Sequence, residues 1–108
     1  MDQETKSPML ADEIRIETVH QLKQYVYHTL CNHEQLEPGV FPMTERVLVR
    51  GGHPCGVSFC LHGPRSVKYT SIWETDSNTI LFYGADGDRF LKTRLLAGPS
   101  LEGRQMVA

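Results

Sequence analysis

Hydrophobic and polar positions change their spacing twice along this chain, and each change marks a new kind of element. Ile14-Arg15-Ile16 alternates, as a short strand or extended lead-in does. From Val19 the interval lengthens to three and four. Val19, Leu22, Val26 and Leu30, with Tyr25 and Thr29 beside them, form one apolar stripe, while His20, Lys23, Gln24 and His28 fall on the opposite side. Thr18, followed three residues later by Gln21, has the form of a capping box: the Thr18 hydroxyl accepts from the Gln21 amide, and the Gln21 side chain reaches back to the Thr18 amide. A helix is expected to start there. Asn32, Pro38-Gly39 and Pro42 break its pattern, so residues 32–44 read as a connection with Val40, Phe41 and Met43 tucked beneath it.

The period then returns to two. Arg46-Val47-Leu48-Val49-Arg50, ending at Gly51-Gly52, and Val57-Ser58-Phe59-Cys60-Leu61 read as a hairpin with a five- or six-residue loop, and Gly63-Pro64 ends the second strand. Three further strand-like runs follow, at residues 67–74, 79–83 and 89–95, joined by Thr75-Asp76-Ser77-Asn78 and Ala85-Asp86-Gly87-Asp88. Turn residues between apolar runs signal consecutive hairpins, hence a meander. The expected fold is α+β: an N-terminal helix packed on a mostly antiparallel sheet of about five strands that ends in a three-strand meander. Residues 11–96 form the single domain in this reading, flanked by flexible tails at 1–10 and 97–108.

Pairing register decides which side chains share a face. With Asp76-Ser77 at the first turn, Trp73 opposes Ile80 and Thr70 opposes Tyr83. With Asp86-Gly87 as a two-residue type I′ turn, Ala85 opposes Asp88, Tyr83 opposes Phe90 and Leu81 opposes Lys92. One face then carries Val67, Tyr69, Trp73, Ile80, Phe82, Leu91 and Leu95, diluted by Ser71, Thr93 and Arg89, and should receive the helix. The other carries Thr70 and Thr79 together with a contiguous patch of Ile72, Leu81, Tyr83 and Phe90, edged by Lys68, Lys92, Arg94 and Glu74. An apolar centre with a charged rim is the anatomy of an interface, so Lys68, Ile72, Leu81, Tyr83, Phe90, Lys92 and Arg94 make up the candidate interaction face. Three alternatives compete with it. The connection bearing Phe41 and Met43 would cover this face, the face would be an ordinary half-exposed sheet surface, or a three-residue first loop would exchange Trp73 for Ile72.

Composition changes this picture little. The chain has 108 residues, 40% hydrophobic and 22% charged, which suits one core and leaves no room for a second domain. A formal net charge of −2 gives no overall pull toward nucleic acid or an anionic membrane, and both are expected to be poor partners. Locally, residues 46–94 hold seven lysines and arginines against four acids, so a basic sheet face stacking single-stranded bases on Tyr83 and Phe90 is the rival reading. No apolar run approaches the roughly 18 residues of a membrane span, and the start lacks the basic and apolar regions of a secretion signal. Cys31, Cys55 and Cys60 are odd in number and lack a framework spacing, which suits reduced thiols and a cytoplasmic location.

Candidate chemistry is sparse. Cys31 and His33, His53 and Cys55, and Cys60 and His62 each stand two residues apart, and zinc favours such ligands. Cys55 and Cys60 are five strand steps apart, about 16 Å, and on opposite faces, so the hairpin alone cannot close one site unless its loop folds back sharply. A site joining Cys60 and His62 to Cys31 and His33 is the remaining combination. A nucleophilic Cys60 or Cys31 would need its neighbouring histidine as base and an oxyanion stabiliser in one cleft, which sequence proximity does not supply. Gly51-Gly52 lacks the following Lys and Ser/Thr of a phosphate loop. Arg65, just past the Gly63-Pro64 corner, is placed either to grip a carboxylate or phosphate or to pair with a surface acid. The sequence reading is a non-catalytic protein-interaction or self-association module, a homodimer or the partner of another protein, with no cofactor. Single-stranded nucleic-acid binding and a small Cys/His metal-binding protein are the alternatives.

Overall fold

The helix forms where its stripe predicts and runs past Asn32. The computed structural model describes residues 9–101, in the order β1 (Met9–Arg15), α1 (Val19–Glu34), β2 (Met43–Arg50), β3 (His53–His62), β4 (Lys68–Glu74), β5 (Thr79–Tyr83) and β6 (Arg89–Ala97). The tails expected at 1–10 and 97–108 lie, for residues 1–8 and 102–108, outside the described residues. Met9 and Leu10 belong to β1, Ala97 ends β6, and Leu101 is buried against the core.

At the helix start the Gln21 amide donates to Thr18 Oγ1 at 3.0 Å, as the cap requires. The return bond is displaced by one residue: the amide of Glu17, not Thr18, donates to Gln21 Oε1 at 2.9 Å. Asn32 does not end the helix, because it lies on the exposed side. Termination falls at Gln35, which turns left-handed (φ 58°) while the Leu36 amide donates to the Cys31 carbonyl.

All six strands form one sheet in the order β1-β6-β5-β4-β3-β2. Neighbours from β2 to β6 are antiparallel, whereas β1 pairs with β6 in parallel. The helix covers one face. Its stripe of Val19, Leu22, Val26 and Leu30 packs with Val57, Phe59 and Leu61 of β3, Tyr69 and Trp73 of β4, Ile80 and Phe82 of β5 and Leu95 of β6. Fully burying one such aliphatic side chain contributes roughly 1.5–3 kcal/mol. Phe41 and Met43 join the same side, where Tyr27 donates its hydroxyl to the Phe41 carbonyl at 2.7 Å. They therefore do not cover the opposite face.

Buried polar groups on the helix side are paired, as a dry core demands. Ser71 donates to the Leu81 carbonyl, and the Thr93 and Tyr25 hydroxyls bond at 2.9 Å. The indole of Trp73, 1% exposed, donates to Asn78 Oδ1 at 3.1 Å. Asn78 closes the first turn of the meander in a left-handed conformation (φ 52°), its amide donating to the Thr75 carbonyl and its own carbonyl accepting from Leu95. The four-residue connection keeps Trp73 opposite Ile80 and Thr70 opposite Tyr83.

Asn78→Ala removes the indole's partner and puts a β-carbon in a left-handed position, so we expect a loss of about 2–4 kcal/mol. Asn78→Gly keeps the backbone and loses only the side-chain bonds, to the Trp73 indole and the Leu95 carbonyl, and should cost about 1–2 kcal/mol less. Urea unfolding followed by Trp73 fluorescence tests this, and equal losses for the two variants would contradict it.

Candidate interaction face

The face away from α1 is open, and the register fixes its membership. Each cross-strand row lies on one side of the sheet. Thr44, Cys60, Thr70, Tyr83 and Arg89 make one row. Arg46, Ser58, Ile72, Leu81 and Lys92 make the next, and Leu48, Gly56, Glu74, Thr79 and Arg94 a third. His62 and Lys68 pair beyond the first. The structure therefore brings Lys68, Ile72, Leu81, Tyr83, Lys92 and Arg94 together as expected from the pattern.

It does not bring Phe90 with them. The second turn is not a two-residue type I′ turn, which needs positive φ at both central residues. Of that pair only Gly87 is left-handed (φ 85°), the Gly87 amide donates to the Gly84 carbonyl, and the Gly84 amide donates to the Asp88 carbonyl. This is a three-residue loop closed by a left-handed glycine. Tyr83 then opposes Arg89 while Phe82 opposes Leu91, leaving Phe90 as the extra residue of a β-bulge. Phe90 swings to the helix side, where its ring stacks on His33 at a centroid distance of 3.5 Å and 3° between planes, and lies 6.0 Å from Phe82. Arg89, expected on the covered face, is exposed on the open one.

That exchange alters the character of the face. Its apolar centre shrinks to Ile72, Leu81 and the half-buried Tyr83, with Leu81 9% exposed despite facing outward. Around them stand Arg46, Lys68, Arg89 and Lys92. Arg94 lies on this side too and already has a partner. Among the described side chains of β2–β6 facing this way, Glu74 is the one acid, and its Oε1 accepts from Ser77 at 3.3 Å. Asp76, Asp86 and Asp88 sit at turns, and Glu45 points to the helix side, where it meets Lys23 at 3.1 Å. Compared with family models, curated proteins and solved structures, this chain matches none.

The metal combinations separate in space. Cys31 belongs to α1 and is fully buried on the helix side, whereas Cys60 and His62 lie on the open face, so the sheet stands between them. His62 Nε2 is engaged by Thr44 Oγ1 at 2.9 Å, and His33 by the Phe90 ring. Among the described residues no group of three or more His, Cys, Asp or Glu is placed to hold a metal ion. Arg65 and Ser66 form a left-handed pair (φ 60° and 64°) in the tight turn between β3 and β4, which leaves Arg65 exposed. Among the described residues no helix is long and apolar enough to cross a membrane. A groove of about 600 Å³ runs between α1 and the 38–43 segment, lined by His20, Lys23, Tyr27, His28, Phe41 and Met43. Its floor is part of the helix packing, since Tyr27 also accepts from the Gly39 amide.

Burial pushes the Cys31 thiol above its ordinary range, against a smaller opposing pull from a hydrogen bond with Tyr27. A thiol held neutral in the fold and free to ionise when unfolded stabilises the fold below the ordinary thiol range, and that contribution is lost as pH rises past it. The half-buried Cys55 and Cys60 should react with a disulfide reagent at mildly alkaline pH while Cys31 waits for unfolding. Mass mapping of the labelled cysteines against time checks the order, and early labelling of Cys31 in the folded protein would contradict it.

Proposed function

We propose that this domain is a non-catalytic interaction module that docks an anionic macromolecular partner on the open face of its sheet. One observation carries the reading: four cations, Arg46, Lys68, Arg89 and Lys92, ring Ile72, Leu81 and Tyr83 with Glu74 as the single described acid beside them. The chain as a whole is negative, at −2. Segregation of charge, rather than its sum, supports an electrostatically steered encounter, because at physiological salt each exposed charge acts over only about 8 Å.

Self-association through the same face is supported less well. A two-fold contact of this kind would set one cationic rim against another, and like charges brought together disfavour a complex. The sheet margins offer little instead. Edge strand β2 carries Glu45, Arg46 and Arg50 along its length, with a register shift between Leu48 and Val49, and such features discourage strand addition.

Chromatography on an immobilised polyanion such as heparin tests the reading. The protein should be retained at about 50 mM salt and released as salt rises. Lys92→Glu and Arg89→Glu should elute earlier, while Lys23→Glu on the helix side should not. Light scattering should report a monomer for wild type and for Leu81→Lys alike. Passage of the wild type straight through the column at low salt would remove the proposal.

A further inference from the structure

Resting on that reading, we infer that the anionic partner is a single strand of nucleic acid, with phosphates along the β6 cations and bases laid over the half-buried Tyr83 and Ile72, beside the largely buried Leu81. The face repeats a two-part unit. Tyr83 stands directly beside Arg89, and Leu81 directly beside Lys92. Paired strands are about 4.8 Å apart and Tyr83 and Leu81 are about 6.7 Å apart along β5, while the bulge puts three residue steps between Arg89 and Lys92, so the half-buried Tyr83 ring and the largely buried Leu81 each have a cation within one side chain's reach. A chain with one base and one phosphate per step matches that repeat. Ile72, opposite Leu81, widens the platform, and Arg46 closes its far side two strands away.

An acidic peptide meets the same charges on poorer terms. An extended peptide on the sheet face, away from any edge, would press its own N–H and C=O groups against Ile72 and Leu81, which offer nothing to bond. Strand addition would satisfy those groups, but β2 is charged and shifted in register, and β1 has irregular pairing on either side of Ile14. Nucleic acid has no such obligation, because its bases stack through apolar faces while the sugar-phosphate chain stays in water. Thr70, Cys60 and Thr44 continue Tyr83's row with small polar groups, the Thr44 hydroxyl being bonded to His62 Nε2. With Phe90 turned inward, Tyr83 is the one described aromatic side chain on this face. Binding is therefore expected to tolerate sequence and to depend on that ring.

Fluorescence anisotropy on the purified chain tests the inference with labelled single-stranded DNA and RNA of about 12 nucleotides, the matching DNA duplex, and labelled polyglutamate. Single strands should bind more tightly than duplex or polyglutamate, with an affinity that falls between about 50 and 200 mM salt. Lys92→Glu and Arg89→Glu should each weaken single-strand binding about tenfold and flatten its salt dependence. Tyr83→Ala should weaken it about tenfold with the salt dependence unchanged, and Tyr83→Phe should restore it. Tyr83→Leu, which keeps apolar bulk in the sheet, should behave like Tyr83→Ala, and thermal unfolding identifies any variant that has lost its fold. Equal binding of polyglutamate and single strands, indifferent to Tyr83, overturns the nucleic-acid assignment and leaves the anionic-partner reading standing. An absence of binding to every polyanion at low salt overturns both.

Discussion

A single buried N–H governs the layout of this sheet. The indole of Trp73 lies in a dry core and must find an acceptor, which Asn78 supplies from the adjacent turn. The same residue adopts the left-handed conformation that lets a four-residue connection return the chain with its parity unchanged. Its carbonyl also receives the Leu95 amide, so β6 is aligned by the residue that aligns β4 and β5. Since a shift of one residue would move every side chain of a strand to the opposite face, this turn decides both what lies under the helix and what lies in the open.

The second turn sorts charge rather than bulk. With Gly87 closing a three-residue loop, the bulge at Phe90 places two successive residues toward the helix and sends Arg89 outward. The aromatic ring gains a stacked partner in His33, and the face that lost it gains a cation. A patch that the sequence pattern describes as apolar with a charged edge thereby becomes chiefly cationic with a small apolar centre. Among the described side chains of β2–β6, Glu74 apart, the acids sit at turns or, as Glu45 does with Lys23, on the helix side.

Much of this was legible in the residues. The three-and-four spacing of Val19 to Leu30 marked the buried stripe, and Thr18 marked its start, because both signals are local. The alternation from 67 to 83 located Trp73 inward and Leu81 outward once the first turn length was taken as even. Two features escaped. Asp86-Gly87 is compatible with a two-residue and a three-residue hairpin; the longer loop goes with the Asp88 amide donating to Asp86 Oδ1 and with Phe90 packing partly buried against the helix side, and the second of these is a tertiary effect. The pattern shows strand β1 only at Ile14-Arg15-Ile16, because a parallel partner 81 or 82 residues away leaves no turn between the two strands to read. The displaced cap bond, from Glu17 rather than Thr18 to Gln21, shows how a correct motif can still close on the neighbouring amide.

That parallel pairing also sets an order of events. Strand β1 is made first, yet its partner β6 is the last strand of the sheet, with the helix and four strands between them. During synthesis the helix and the β2–β5 ladders form from contacts close in sequence, whereas the β1–β6 ladder must wait for most of the domain to leave the ribosome. Until then the outer edge of β5 or of β6 stands unpaired beside the growing chain. The loop closed by β1 and β6 is the longest in a sheet otherwise assembled from neighbours, so the largest chain-entropy cost of closure falls at the opposite margin from β2.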